Sequence, residues 1–74
     1  MTPVEIAVLY TLRPGAAQTI REIQQSATLT TWRARNAVAH LAARGLITAT
    51  APGNRWRITP RGRSALATKA KRFG

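Results

Sequence analysis

Arg33, Arg35 and Asn36 fall within one turn of a predicted helix, and Arg55 and Arg57 alternate along a predicted strand further on. These groups recognise; they do not make or break bonds. A guanidinium can fork onto the O6 and N7 acceptors of guanine, and a carboxamide can pair with N6 and N7 of adenine. Arginines repeating along one edge of a strand suit phosphate oxygens. The groups that catalysis needs are scarce: the 74 residues include no cysteine, one histidine and two acidic side chains. Glu5 and Glu22 each stand three places after a threonine, where a helix capping box accounts for them. There is no glycine-rich phosphate loop and no Ser/His/Asp set, so neither an enzyme nor a metal or other cofactor is expected. His40 reads as a lone imidazole on the outer side of a helix, with no second His, no Cys and no carboxylate near it. A surface or phosphate-proximal role is its plain reading.

The charge has a sign and a place. Twelve Lys+Arg stand against two Asp+Glu, a formal net charge of +10. Up to Thr28 the charged residues are Glu5, Arg13, Arg21 and Glu22, which cancel, so the whole excess lies from Leu29 onward. A one-sided excess is the footprint of a nucleic-acid face, against the alternative of a merely solvated surface. Hydrophobic residues make up 45% of the chain, too many for a disordered basic tail, so it should fold. The length suits a single domain, residues 1–74, near the lower limit for an adequate core. No apolar run approaches the roughly 18 residues that span a bilayer, and no signal peptide is visible. The expectation is a cytoplasmic, nucleoid-associated protein that makes no membrane contact.

The elements that would position these groups are marked by their ends. Thr2-Pro3-Val4-Glu5 opens a helix whose apolar residues are Val4, Ile6, Val8, Leu9 and Leu12, and Arg13-Pro14-Gly15 closes it. Thr19-Ile20-Arg21-Glu22 opens a second, short helix to about Ser26, with Ile20 and Ile23 inward. Ala27-Thr28-Leu29 forms a turn, and Thr30 caps a third helix reaching about Arg44. On it Ala34, Val38 and Leu41 recur at helical spacing, and Gly45 suits a left-handed end. Leu46–Thr50 and Arg55–Thr59 read as two strands around a Pro52-Gly53 turn, Trp56 and Ile58 facing the core and Arg55 and Arg57 facing away. Thr59-Pro60 then opens a last helix with Gly62, Leu66, Ala70 and Phe73 on its inner stripe. The fold class is mainly α with a small β-hairpin: three helices, a two-stranded wing and a C-terminal helix.

This pattern resembles the winged helix-turn-helix family of bacterial and phage transcription regulators, and within it the core of the MarR-like repressors. The likeness is carried by the helix-turn-helix from Thr19 to Leu41 and by the Arg44-Gly45-Leu46-Ile47 closure. Ile58-Thr59-Pro60-Arg61-Gly62-Arg63 adds to it, resembling the "LTPxGR" stretch common after the wing. Together these segments cover most of the chain. MarR-like repressors also carry long terminal helices that make an obligate dimer, and usually a pocket for a small-molecule inducer. Neither is present in full in 74 residues, so no small-molecule effector is expected, and a homodimer on a two-fold site stays open. A minimal phage or plasmid regulator fits the size.

The resemblance implies a third helix that enters the major groove of double-stranded DNA with its N-terminal half. The candidate contacts are then Thr30, Thr31, Trp32, Arg33, Arg35 and Asn36. Arg33 and Asn36 would read bases, Thr30 and Thr31 would meet a phosphate, and Arg35 would clamp the backbone. Trp32 lies off the apolar stripe, with three readings: contact with DNA, a fold back onto the second helix, or a protein contact. Asn54 and Arg55 at the wing tip would reach the minor groove, and Arg57 a phosphate. Arg61 and Arg63 stand near the base of the wing and could touch phosphates. The Lys69, Lys71 and Arg72 run reads as a solvated end. The function expected is a sequence-specific transcriptional regulator acting as a repressor. The alternative is a winged helix used for protein interaction, or as an accessory module in recombination or replication.

Overall fold

The computed structural model describes residues 1–50 and 53–73, and side chains as far as Thr68. The chain runs α1 (Pro3–Leu12), β1 (Gln18–Thr19), α2 (Ile20–Ser26), α3 (Thr31–Ala43), β2 (Ile47–Thr50), β3 (Arg55–Ile58) and α4 (Pro60–Phe73). The expected Pro52 turn residue and the Lys69, Ala70, Lys71, Arg72 and Phe73 side chains lie outside the described residues.

Local chemistry sets each start. Thr2 Oγ1 accepts from the Glu5 N–H at 3.2 Å while Glu5 Oε1 accepts from the Thr2 N–H at 3.0 Å. Thr19 and Glu22 close the same reciprocal box at the head of α2. Each box satisfies two N–H groups that a helix start leaves free. Thr30 Oγ1 accepts from the Arg33 N–H at 3.2 Å, fixing the first turn of α3. The bend between α2 and α3 forces Thr28 to φ 56°, an uncommon conformation for a threonine.

The core is where the apolar stripes meet. Val8, Leu9 and Leu12 of α1, Ile23 of α2, Ala37, Val38 and Leu41 of α3, Leu46 and Ile47, Ile58 and Leu66 form one buried cluster. Ala34 is also buried, as its stripe required. The two wing strands pair antiparallel, Ile47 opposite Ile58 and Thr50 opposite Arg55. The strand ends are shorter than the sequence suggested, since Leu46 and Thr59 fall outside the ladder. A third strand was not foreseen: Gln18 and Thr19 pair with Trp56 and Arg55, giving the sheet order β1-β3-β2. The hairpin is thereby joined to the segment that launches α2.

Gly62 explains the segment after the wing. A Cβ there would overlap the Leu46 carbonyl oxygen and press on Ile58 Cγ1. Thr59 fastens the same corner, its hydroxyl donating to the Gly45 carbonyl at 2.7 Å and accepting from the Gly62 N–H at 3.0 Å. The glycine lets α4 start in contact with the backbone that leaves α3.

Candidate nucleic-acid interface

The face of α3 opposite its buried stripe is open. Thr30, Thr31, Trp32, Arg33, Arg35 and Asn36 are all exposed. They do not point one way. Arg33 and Asn36, with Trp32 and His40, flank a groove against Thr2, Val4 and Glu5 of the chain start. Arg35 lies on the other flank, in a cleft with Arg21, Asn54 and Trp56. Thr30 and Thr31 are partly engaged: Thr30 caps α3, and the Thr31 hydroxyl donates to Gln24 Oε1 at 3.0 Å, bracing α3 on α2.

Trp32 is 72% exposed, which disposes of the reading in which it folds back onto α2. Its neighbours across the groove belong to the start of α1 instead. Trp56 is partly buried and packs on the core, as its alternation with Ile58 indicated, with Arg57 exposed on the opposite side.

Arg55 departs from its expected direction. Its Nη1 donates to the Ala17 carbonyl at 3.3 Å and to Glu22 Oε1 at 3.1 Å. Strand alternation gave the side on which Arg55 stands but not where its long side chain would turn. A carboxylate and a free carbonyl within reach draw it toward α2. Glu22 is held below the usual carboxylate range, chiefly by the Thr19 backbone N–H and then by the Thr19 hydroxyl and Arg55, against a desolvation cost that acts the other way.

Glu5 and His40 also depart from expectation. His40 Nδ1 lies 3.4 Å from Glu5 Oε2, and Arg44 Nη1 lies 3.5 Å from Glu5 Oε1. The buried Glu5 therefore caps α1 and anchors the outer edge of α3, so His40 does have a carboxylate neighbour. A capping box had accounted for Glu5 completely in the sequence, leaving no signal for this second role. The consequence is electrostatic. Both carboxylates are committed to cations, and neither of them lies within 4.0 Å of Arg33, Arg35 or Arg57.

Asn54, Arg61 and Arg63 are exposed, Asn54 at the wing tip and the two arginines in the first turn of α4. Arg63 Nη2 reaches the Gly15 turn, so that side chain leans toward the end of α1 rather than the wing. Arg21 was missed by sequence reasoning, because its charge vanished into the N-terminal balance. Among the described residues no group of three His, Asp or Glu side chains could hold a metal, and no helix is long and apolar enough to cross a membrane.

No family model and no curated protein matches the sequence. Solved structures do match. A MarR family transcriptional regulator from Silicibacter pomeroyi DSS-3 superposes with TM-score 0.82 at 28% identity, over 96% of this chain and 55% of that one. A MarR family protein from Bacillus stearothermophilus gives TM-score 0.85 at 18% identity, over 97% and 53%. BpsR of Bordetella bronchiseptica gives 0.87 at 21%, over 96% and 53%. The chain spans about half the length of these proteins. The DNA binding of BpsR is regulated by 6-hydroxynicotinic acid, which cuts against reading the absence of an effector into this fold. The chain has the winged helix-turn-helix fold of the MarR-family regulators.

Proposed function

We propose that this chain, with the winged-helix fold of MarR-family regulators as its frame, is a sequence-specific binder of double-stranded DNA that regulates transcription as a repressor by occupancy. The observation that carries the reading is the contrast between α3 and the two carboxylates. The helix that winged-helix proteins lay in the major groove exposes Arg33, Arg35 and Asn36, while Glu5 and Glu22 are spent on His40, Arg44 and Arg55. A net charge of +10 is left to be neutralised from outside.

In this reading Arg33 and Asn36 meet base edges and the exposed Trp32 lies against a thymine methyl or the sugar edge. Thr30 and Thr31 present the start of α3 to a phosphate, with Arg35 on the backbone beside it. Arg57 and Arg61 add phosphate contacts, and Asn54 approaches the minor groove. Arg55 stays with Glu22 and holds the hairpin in place. Arg63, leaning toward α1, lies at the margin. A single copy has a small footprint, so useful specificity calls for two copies on a two-fold site.

A second reading, an accessory module in a nucleoprotein complex, draws on the exposed Trp32 and Tyr10, since aromatic residues are enriched where proteins meet. Fluorescence anisotropy at about 150 mM salt separates the two readings. Binding to duplex DNA well above that to single strands or double-stranded RNA supports the regulator. Equal, salt-labile binding to all three contradicts it.

A further inference from the structure

We propose that the groove between the end of α1 and the start of α4 docks an acidic segment of a partner protein, whose carboxylates meet Arg13 and Arg63 and whose apolar side chain lies between Tyr10 and Leu66. The groove stands at the other end of α1 from the one beside Trp32, and it shares no lining residue with either flank of α3. Docking here goes beyond the duplex-reading role of α3, does not depend on it and leaves that helix uncovered.

Both cations are placed by what they approach. The Arg13 guanidinium carbon lies 5.5 Å from the centre of the Tyr10 ring, within cation–π reach. Arg63 Nη2 comes within 3.2 Å of the place where a Cβ on Gly15 would stand, just past Arg13 in the chain. Two guanidinium groups, one from the end of α1 and one from the first turn of α4, thus gather around the end of α1, and both residues are exposed. Neither is within 4.0 Å of Glu5 or Glu22, the only acidic side chains in the sequence, which are held by His40, Arg44 and Arg55. The rest of the lining is Tyr10, 46% exposed, the buried Leu66 and the small Ala67.

Charge selects the occupant. Two guanidinium groups without a carboxylate of their own call for an anion from outside, bound by paired hydrogen bonds. A second copy cannot supply it. In a two-fold contact the patch meets itself, which sets four guanidinium groups together, while Glu5 and Glu22 are committed elsewhere. Size speaks against a small-molecule inducer. The groove holds about 240 Å³, below the roughly 300–1,000 Å³ of small-molecule sites, and that suits one large side chain. A duplex backbone offers anions but no apolar side chain to set against Tyr10 and Leu66. An acidic protein segment with an apolar anchor offers both, and tyrosine and arginine are among the residues that carry such contacts.

The test uses three sets of short synthetic peptides on the isotope-labelled protein. The first sets a Phe or Leu among Asp and Glu, the second replaces the apolar residue by Ser, and the third replaces the acids by Asn and Gln. The first set should shift the Leu66 methyl and Ala67 amide resonances and leave the α3 amides still. The other two sets should bind roughly tenfold more weakly, and Arg13→Ala and Arg63→Ala should each weaken the first set by about as much. Arg13→Ala should keep the wild-type melting temperature and affinity for duplex DNA, because Arg13 is exposed and lies away from α3. Peptide shifts centred on α3 and the hairpin, or Ser peptides that bind as well as Phe peptides, would overturn the groove in favour of general attraction to a chain of net charge +10. The absence of shifts at Leu66 and Ala67 with every peptide would overturn it too. Shifts there with duplex DNA and not with peptide would give the groove to nucleic acid instead, and shifts that grow with the protein's own concentration would give it to a second copy. Duplex recognition by α3 is measured separately on the same proteins, so either reading can fail alone.

Discussion

Arg55 Nη1 stands 3.1 Å from Glu22 Oε1, so the second wing strand is tied to the capping-box partner of Thr19 at the head of α2. The contact joins the two parts that a winged helix must hold in register, the ribbon and the helix-turn-helix. It also turns the Arg55 side chain toward α2, away from the minor-groove reach that its place next to the wing tip suggested.

The Glu22 carboxylate, held chiefly by the Thr19 N–H and to a lesser extent by Arg55, predicts a pH dependence. The Glu22 carboxyl titrates lower in the folded chain than in the unfolded one, chiefly through the Thr19 N–H. A group depressed on folding contributes stability above its unfolded value, and the contribution disappears as pH falls through its folded value. Between roughly pH 6 and pH 3, the wild type should therefore lose more melting temperature than Glu22→Gln. Parallel curves would show that the carboxylate contributes nothing.

Gly62→Ala tests the corner between α3 and α4. The added methyl meets the Leu46 carbonyl oxygen, a backbone atom that cannot swing aside. A loss of about 2–3 kcal/mol in urea unfolding is expected. A change within about 0.5 kcal/mol would mean that α4 can shift without cost.

Base reading is tested on α3. Arg33→Ala and Asn36→Ala should each lower the ratio of specific to random-duplex affinity, by about 1–3 kcal/mol on the selected site. Equal losses on both duplexes would reassign that residue to the backbone.

Arg57 is expected to act without sequence preference. Arg57→Ala should weaken all duplexes alike and make the salt slope shallower by about 1 unit. A loss confined to the selected site would contradict a phosphate role.

Much of this frame was legible in the sequence because its signals are local. Thr2 with Glu5 and Thr19 with Glu22 lie within one turn, and the Ala34, Val38 and Leu41 stripe needs only helical spacing. Gly45 and Gly53 both take the positive φ expected of them. The rest depends on contacts between distant residues. Gln18–Thr19 is a polar pair with no alternation to mark it as a strand until it meets β3. Arg44 reaches Glu5 across 39 positions, a pairing that no motif announces. Arg21 joins Arg35, Asn54 and Trp56 at one cleft only once the chain has folded. Sequence patterning gave the positions of the cationic residues, while the routes of their side chains came from which acceptors the fold left open.

The central claim is that α3 reads a defined duplex sequence. Selection of binding sites from a random duplex pool at about 150 mM salt tests it most directly, because counterion release no longer favours a basic protein indiscriminately. The account predicts an enriched motif, with a two-fold repeat if two copies bind together. A pool that stays random, with binding that fades as salt rises, would contradict it.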